Sequence, residues 1–159
     1  MSENRILLTD MAEGLFAELA GADFATVWPK LAEAGFATLL VPEEAGGFGG
    51  DWGDLFAVLR LAGQHALAAP LGETIVAHKV LADAGVAAPE GAIALLDRDY
   101  ASFGRDCAAV LAAGEGGLRI YPRSAIALTE GTSPDGNPRD KVRFTGEPSA
   151  VFEIGRAHV

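Results

Sequence analysis

Apolar residues recur at intervals of three or four positions through the first half of the chain, which predicts a series of amphipathic helices. The first such set consists of Leu8, Ala12, Leu15 and Leu19. Gly21 follows directly and is placed to end this helix, because glycine readily takes the conformation that stops one.

Three more helices are predicted before the middle of the chain. Pro29 is compatible with the first turn of the second helix, where its missing N–H costs little, and Gly35 ends that helix. Asp51 is a plausible N-cap of the third helix, whose apolar stripe comprises Trp52, Leu55, Phe56 and Leu59. The fourth helix should end at Gly85, and its stripe comprises Val76, Ala77, Val80 and Leu81.

The pattern changes near residues 87–91, which include Pro89 and Gly91, and this cluster predicts a domain boundary. Beyond it lie short apolar runs at residues 92–96, 107–112, 118–121, 125–128 and 142–144. Residues 114–117 are typical of a hairpin turn, and residues 133–138 of a long turn or loop. We therefore expect an α+β protein, with a helical domain at residues 1–87 and a small antiparallel β domain at residues 88–153.

Composition narrows the functional classes. The chain has 159 residues, 50% of them apolar, and a net charge of −10, which disfavours nucleic-acid binding. No apolar run approaches the ~20 residues that a membrane span needs, and the N-terminus lacks the charge layout of a secretory signal. The cytoplasm is the expected compartment. Cys107, in an apolar run, is expected to be a buried and inert thiol.

Two phrases in the helical half carry a family resemblance. The first runs from Trp28-Pro29-Lys30 through the glycine-dense loop at residues 46–50, and the second is the segment Pro70-Leu71-Gly72-Glu73-Thr74. Their order resembles the N-terminal helical domain of flavin-dependent acyl-CoA dehydrogenases. The resemblance covers residues 28–74 well and residues 91–148 loosely.

The resemblance implies the α,β-desaturation of an acyl-CoA thioester, with FAD as cofactor and an electron-transfer flavoprotein or similar acceptor as partner. A fatty acyl or a steroid side-chain substrate fits equally, and the full-length protein is expected to form homo- or hetero-oligomers. In the family a C-terminal helical bundle delivers a glutamate base that removes the α proton while the β hydrogen leaves as hydride to the flavin. That bundle is missing from this sequence, so no catalytic residue is assigned and the chain is expected to be inactive alone.

The same resemblance points to two sets of site residues. Glu44, Gly46 and Gly47 match a tight loop beside the acyl pocket. Leu95, Leu96 and Asp97 stand where the family has a flavin-contacting phrase resembling Leu-Thr-Glu-Pro. Here leucine replaces the threonine hydroxyl and no proline follows, which indicates a divergent member.

The remaining polar residues do not point to a further site with a defined role. Coenzyme A is a polyanion and needs local positive charge, for which Arg98, Arg105 and Arg123 are candidates. Glu73 and Thr74 could belong to a site, but a helix-capping role is favoured. The histidines at positions 65 and 78 have no ligand-spaced partner, and no metal site is predicted.

Two alternative functions remain open. One is a non-catalytic partner subunit of a heteromeric acyl-CoA dehydrogenase. The other is an unrelated nucleotide-binding α+β module built on the glycine-rich loop, which requires residues 39–41 to form a strand of a parallel sheet.

The last six residues, 154–159, can be encoded by a nucleotide string that resembles a short-read sequencing adapter. We expect them to be translated adapter and exclude them from fold reasoning, as a cloning scar would be.

Overall fold

The structure, a computed structural model, describes residues 3–154 and divides into two compact units, Met1–Ile75 and Val76–Val159. The helices of the described chain are α1 (Glu3–Leu19), α2 (Phe24–Glu33), α3 (Trp52–Gln64) and α4 (Leu71–Asp83). Its strands are β1 (Ile93–Leu95), β2 (Tyr100–Ser102), β3 (Ala109–Gly114), β4 (Gly117–Pro122), β5 (Ile126–Thr129), β6 (Arg139–Phe144) and β7 (Ala150–Phe152). Helices precede strands, so the predicted α+β class is confirmed. The predicted adapter segment lies outside the described residues except for Ile154.

The first unit is built around the buried faces of α1, α2 and α3. On α1 the buried residues are Leu8, Ala12, Phe16 and Leu19, so Phe16 takes the core position that the sequence pattern gave to Leu15. Phe16 packs on Phe36 with ring centroids 5.2 Å apart. Gly21 has a φ of 81°, which confirms that it follows the end of the helix in a left-handed conformation.

Helix α2 begins earlier than predicted. Asp23 is its N-cap, and the Asp23 carboxylate accepts a hydrogen bond from the Thr26 amide at 3.0 Å. Pro29 therefore lies inside the helix rather than in its first turn. The prediction was wrong because it gave the proline priority over the capping aspartate six positions before it.

Asp51 is the N-cap of α3, as predicted, and Asp51 and Asp54 form a reciprocal capping box. The predicted stripe on this helix was wrong about which face is buried. The buried residues are Leu55, Val58 and Leu61, whereas Trp52 is 60% exposed and Phe56 is 70% exposed. Leu55 alone of the predicted stripe belongs to the core.

Helix α4 contributes to the core of the second unit through Ala77 and Leu81, both fully buried. They pack with Ile93 and Ile120 of the sheet. The two compact units accordingly divide within α4, ahead of the boundary that the Pro89 cluster predicts. Gly85, with a φ of 70°, follows the helix end as expected.

The second unit contains two sheets. The first has the strand order β1-β3-β4-β7 and the second the order β2-β6-β5. Hairpin β3–β4 closes at the predicted turn, where Gly114 pairs with Gly117. All pairs are antiparallel except β1 with β3, which is parallel, so the predicted antiparallel β domain is confirmed with one parallel pair in it. The chain leaves the first sheet to form β2 and returns for β3, and such a crossover is what a parallel pair requires.

Strand β6 alternates as a half-buried strand should, with Asp140 and Val142 buried between exposed neighbours. Phe144 does not follow the predicted alternation, because it is 37% exposed and stacks on Tyr121 with ring centroids 3.9 Å apart. Cys107 is buried, as predicted. Within residues 3–154 no helix combines the length and the apolar character that crossing a bilayer would require.

Candidate functional site

The glycine-rich stretch at residues 46–50, called the glycine loop below, folds back on the segment that precedes it. The amides of Gly47, Phe48, Gly49 and Gly50 donate to the carbonyls of Pro42, Thr38, Val41 and Leu39, at 2.8–3.1 Å. This ladder of backbone hydrogen bonds fixes the loop without the help of side chains. The ladder joins the glycines to the apolar segment before them, which explains why the two features occur together in the sequence.

Glycine is required in the loop for steric reasons. A Cβ on Gly47 would overlap the carbonyl oxygen and the Cβ of Val41, and a Cβ on Gly50 would lie 2.9 Å from the Leu39 carbonyl oxygen. Gly46 and Gly49 have φ values of 87° and 74°, which other residues rarely adopt. The loop therefore holds its shape by close backbone approach.

The same hydrogen bonds exclude the nucleotide-binding alternative. A phosphate-cradling loop presents free amides to its ligand, whereas the loop amides at Gly47 and Gly49 are already bonded to backbone carbonyls. Residues 39–41 form turns, and no strand occurs in the first unit between residues 3 and 75. The parallel strand that this alternative needs is absent from the described chain.

A groove of about 690 Å³ runs beside the glycine loop in the first unit. Its walls are the start of α1, the loop from Gly47 onward and the N-terminus of α3. Leu7, Met11 and Phe48 give it an apolar and partly exposed lining. Of the loop residues predicted to border an acyl pocket, Gly47 lines the groove, whereas Glu44 and Gly46 are exposed and lie outside the lining.

Arg5 pairs with two carboxylates at the acidic end of the groove. Its Nε donates to Asp54 Oδ1 at 2.7 Å and its Nη2 to Asp51 Oδ1 at 2.6 Å. The hydrogen bond to Asp54 is the main reason that the pKa of Arg5 rises. The pKa of Asp51 is lowered, chiefly by the Asp54 amide and further by the charge of Arg5. The two carboxylates therefore cap the N-terminus of α3. The spacing of residues in the sequence did not indicate that Arg5 pairs with them.

Glu73 and Thr74 lie in the first turn of α4. Thr74 is fully buried, and its hydroxyl donates to the Pro70 carbonyl at 2.8 Å. This bond joins the hydroxyl to the helix backbone, although Thr74 is inside the helix and not at the cap position. Glu73 stands at the positive end of the helix dipole.

The two histidines lie in separate surroundings. His65 is the C-cap residue of α3, and its Nε2 lies 3.1 Å from Glu13 Oε1. Burial lowers the pKa of His78 on α4. In the part of the chain that the structure describes, no group of three or more histidine, cysteine or acidic side chains could hold a metal ion.

The predicted flavin contacts lie where β1 ends. Leu96 donates its amide to the Leu111 carbonyl at 2.9 Å. The backbone of Asp97 pairs in both directions with Tyr100 across a tight turn. The Asp97 carboxylate is 72% exposed and 3.4 Å from Arg139 Nη2. Leu95, the last residue of β1, is half-buried.

The three arginines that were candidates to bind the coenzyme A phosphates lie in different places, and two of them are bonded to other groups of the chain. Arg123 donates from Nη1 to the Ile126 carbonyl at 2.9 Å. Arg98 stands in the turn after Asp97 with a φ of 58°. Arg105 is held in a charge cluster with Asp140.

That cluster is the strongest polar feature of the second unit. Asp140 is fully buried, and its carboxylate accepts hydrogen bonds from the backbone amides of Arg105 and Gly131 and from the Arg105 guanidinium. Burial by itself raises the pKa of Asp140, but the hydrogen bonds from Arg105 and Gly131 outweigh it, so that the pKa is lowered. The pair could not be predicted from the sequence, because its members are 35 positions apart.

Comparison with known proteins gives a family match and a set of similar folds. The family model described as "Acyl-CoA dehydrogenase, N-terminal domain" matches residues 9–88, half of the chain. No curated protein sequence matches. The steroid ACAD Tcur3481-Tcur3483, in its G363A variant, is similar with a TM-score of 0.75 and 20% identity. The match covers 95% of this chain and 57% of that one.

Two further solved structures are similar at lower scores. The ChsE4-ChsE5 complex from Mycobacterium tuberculosis has a TM-score of 0.64 and 16% identity, over 99% of this chain and 58% of that one. An electron transferring flavoprotein structure from Acidaminococcus fermentans has a TM-score of 0.60 and 18% identity, over 96% of this chain and 58% of that one. At these identities the likeness establishes the fold, and the chain spans less than three fifths of the length of each neighbour.

Proposed function

The chain belongs to the acyl-CoA dehydrogenase family, and from this premise we propose that it corresponds to the front part of a flavin-dependent enzyme that desaturates an acyl-CoA thioester. The observation that carries the proposal is the family match across residues 9–88, which contains all of α2 and α3 and the glycine loop between them. The redox activity, the substrate and the partners are proposed for a complete protein, because the chain spans only 57% of the length of the similar steroid ACAD.

The groove beside the glycine loop is the proposed place for the acyl end of the substrate. Leu7, Met11 and Phe48 offer apolar contact, while Glu43 at the groove and the paired carboxylates repel phosphate groups. An acyl chain therefore suits this apolar groove, whereas the phosphates of coenzyme A are repelled by its carboxylates. Within the proposed pocket, Gly47 forms the wall, and Glu44 and Gly46 shape the loop from outside.

This chain's contribution to the chemistry would be shape and orientation. The glycine loop is fixed by its own backbone bonds, so it offers a preformed wall that excludes water from an acyl chain. Asp51 and Asp54 cap α3 and pair with Arg5, which leaves these two carboxylates no role in proton removal. No base is assigned within this chain.

FAD is the proposed cofactor of the complete protein, with Leu95, Leu96 and Asp97 as its neighbours. Taken alone, these residues do not fit a flavin ring well. The amides of Leu96 and Asp97 are bonded to Leu111 and Tyr100, and the exposed Asp97 carboxylate can only accept hydrogen bonds. Donors for the ring carbonyls must come from elsewhere, so no chemical step is assigned to these residues.

This poor fit favours a second candidate function. A partner subunit of a heteromeric acyl-CoA dehydrogenase could keep the fold and lose the flavin contacts. The similar ChsE4-ChsE5 structure is a complex of two proteins. In that case the redox centre would lie in the other subunit. In either function, an electron-transfer flavoprotein or similar acceptor is the proposed redox partner of the assembly.

The deciding experiment uses the complete reading frame. The protein is expressed alone, its FAD content is measured from the visible spectrum, and it is titrated anaerobically with fatty acyl-CoA and steroid-CoA esters. Stoichiometric FAD that is bleached by one of these esters supports the first proposal. Protein that stays free of FAD even when the cofactor is added supports the partner subunit. Bound FAD that no ester bleaches contradicts both.

A matched pair of variants then tests the groove. Gly47→Ser in the complete protein should weaken acyl-CoA binding while FAD content is retained, because the wall of the groove must shift. Gly14→Ala is the control, since a Cβ at Gly14 meets no atom within 4 Å. Equal acyl-CoA affinity in both variants would remove the groove from the proposal.

A further inference from the structure

Strand β6 carries three cations on one face, a feature that neither an acyl groove nor a flavin site uses. Arg139, Lys141 and Arg143 alternate with the buried residues Asp140 and Val142. Because alternate residues of a strand point to one side, the three cations form a row with a spacing of about 7 Å. This set is called the basic row.

Most of the positive charge in the basic row is unpaired. Arg139 Nη2 is 3.4 Å from Asp97 Oδ2, and its guanidinium carbon lies 5.1 Å from the centre of the Tyr100 ring. Lys141 and Arg143 form no ion pair with any residue between positions 3 and 154.

The cross-strand neighbours do not supply compensating charge. Lys141 stands opposite Tyr100 on β2 and Thr129 on β5, and Arg143 stands opposite Ala127. Like charges side by side on a sheet repel each other. In a chain with a net charge of −10, Lys141 and Arg143 place two exposed and unneutralised cations in line with Arg139, which makes the row a natural place for an external anion.

The sheet topology decides how such an anion could be recognised. Strand β6 lies between β2 and β5, so both sides of its backbone are already paired and a partner cannot add a strand there. The contact must be made with side chains. A sheet face is open, whereas small ligands are bound in concave sites, so the geometry suits an extended partner.

We propose that the basic row docks an acidic protein segment in extended conformation, with carboxylates at every second residue. Such a segment has the same two-residue period as β6, so that successive carboxylates can face the three cations in turn. At about 0.15 M salt the screening length is about 8 Å, close to the spacing of the row, so the contact should weaken as salt is raised. Arg139 pairs with Asp97, a proposed flavin neighbour, so the part of this surface that is independent of the flavin assignment is Lys141 and Arg143.

The test uses the full chain and a nine-residue peptide in which glutamate and serine alternate. Binding is followed by amide chemical shifts in low salt, and inorganic pyrophosphate serves as a small-anion probe. Lys141→Glu/Arg143→Glu should weaken peptide binding at least about tenfold, since attraction becomes repulsion at two of three contacts. Lys30→Glu/Arg60→Glu changes the net charge equally at two exposed positions of the first unit and should leave binding within about twofold of the unaltered chain.

Shift changes confined to the outer faces of β2, β5 and β6, together with loss of binding in the first double variant alone, support the proposal. Equal loss in both double variants overturns it, because net charge alone would then explain the affinity. Pyrophosphate binding as tightly as the peptide also overturns it in favour of a small-anion site. The neutral variant Lys141→Gln/Arg143→Gln, expected to give intermediate affinity, keeps the test valid if the glutamate variant fails to fold.

Discussion

The partly exposed Arg105 guanidinium pairs with the buried Asp140 carboxylate in the second unit, with Arg105 Nη2 2.6 Å from Asp140 Oδ1. Arg105 Nη2 also donates to the Gly131 carbonyl at 2.7 Å. The pair therefore ties the 3-10 turn before β3 to the start of β6 and to the segment after β5. Its importance for folding can be measured directly.

Asp140→Asn should lower the free energy of unfolding by about 3 kcal/mol. The loss is at the low end for a broken buried pair, because the Arg105 side chain is 31% exposed and can be partly hydrated. Urea unfolding followed by circular dichroism measures the effect. Glu130→Gln is the control, since Glu130 is 71% exposed and 3.5 Å from Arg105, and its loss should cost less than about 1 kcal/mol.

The same pair predicts how stability depends on pH. The pKa of Asp140 is lower in the folded chain than its ordinary value of 3.8, so the unfolded chain takes up this proton first. The stabilisation is complete above 3.8 and is lost as the pH falls through the lowered pKa. Urea unfolding at a series of pH values should show the difference between the unaltered chain and Asp140→Asn shrinking below pH 3.8. A difference that stays constant down to the acid limit would contradict the assignment.

Gly47→Ala should destabilise the first unit by about 2 kcal/mol, because the added Cβ overlaps the Val41 backbone and side chain. Gly14→Ala, within α1 and with no atom near the new Cβ, should instead stabilise by about 0.5–1 kcal/mol through helix propensity. Thermal unfolding of the two variants checks both signs. Equal behaviour of the two would contradict the close approach of the glycine loop to Val41.

The two tryptophans report the packing of the first unit. Trp28 is 9% exposed on α2, whereas Trp52 is 60% exposed on α3. Acrylamide should therefore quench the fluorescence of Trp28→Phe, in which Trp52 remains, several times more strongly than that of Trp52→Phe. Comparable quenching in both variants would mean that α3 is oriented differently from the structure described.

The order of elements was predictable because it depends on local pattern. Helical spacing, the glycines after α1 and α4 and the Asp51 cap located the helices, and the runs of apolar residues located β1, β3, β4, β5 and β6. Strands β2 and β7 were missed because, unlike β1 in the apolar run at residues 92–96, they lie in apolar stretches of three residues or fewer. The exposed face of α3 was mistaken for a core face, since Trp52 and Phe56 share the helical spacing of Leu55.

The site was less predictable, because its parts meet only in three dimensions. The glycine loop was recognised from its composition, but which of its residues border the groove depends on the fold of the loop against Val41 and Leu39. Arg5 reaches acids 46 and 49 positions away, and no spacing rule connects them. The parallel pairing of β1 with β3 depends likewise on a crossover that the sequence does not mark.

The central claim is that this chain has the fold of an acyl-CoA dehydrogenase front part and, as proposed above, that Leu95, Leu96 and Asp97 do not suffice to hold FAD. The most direct measurement is the visible absorption spectrum of the purified 159-residue chain after incubation with excess FAD and gel filtration. The account predicts less than about 0.1 flavin per chain, because the amides of Leu96 and Asp97 are already bonded within the protein. One flavin per chain, retained through gel filtration, would contradict it.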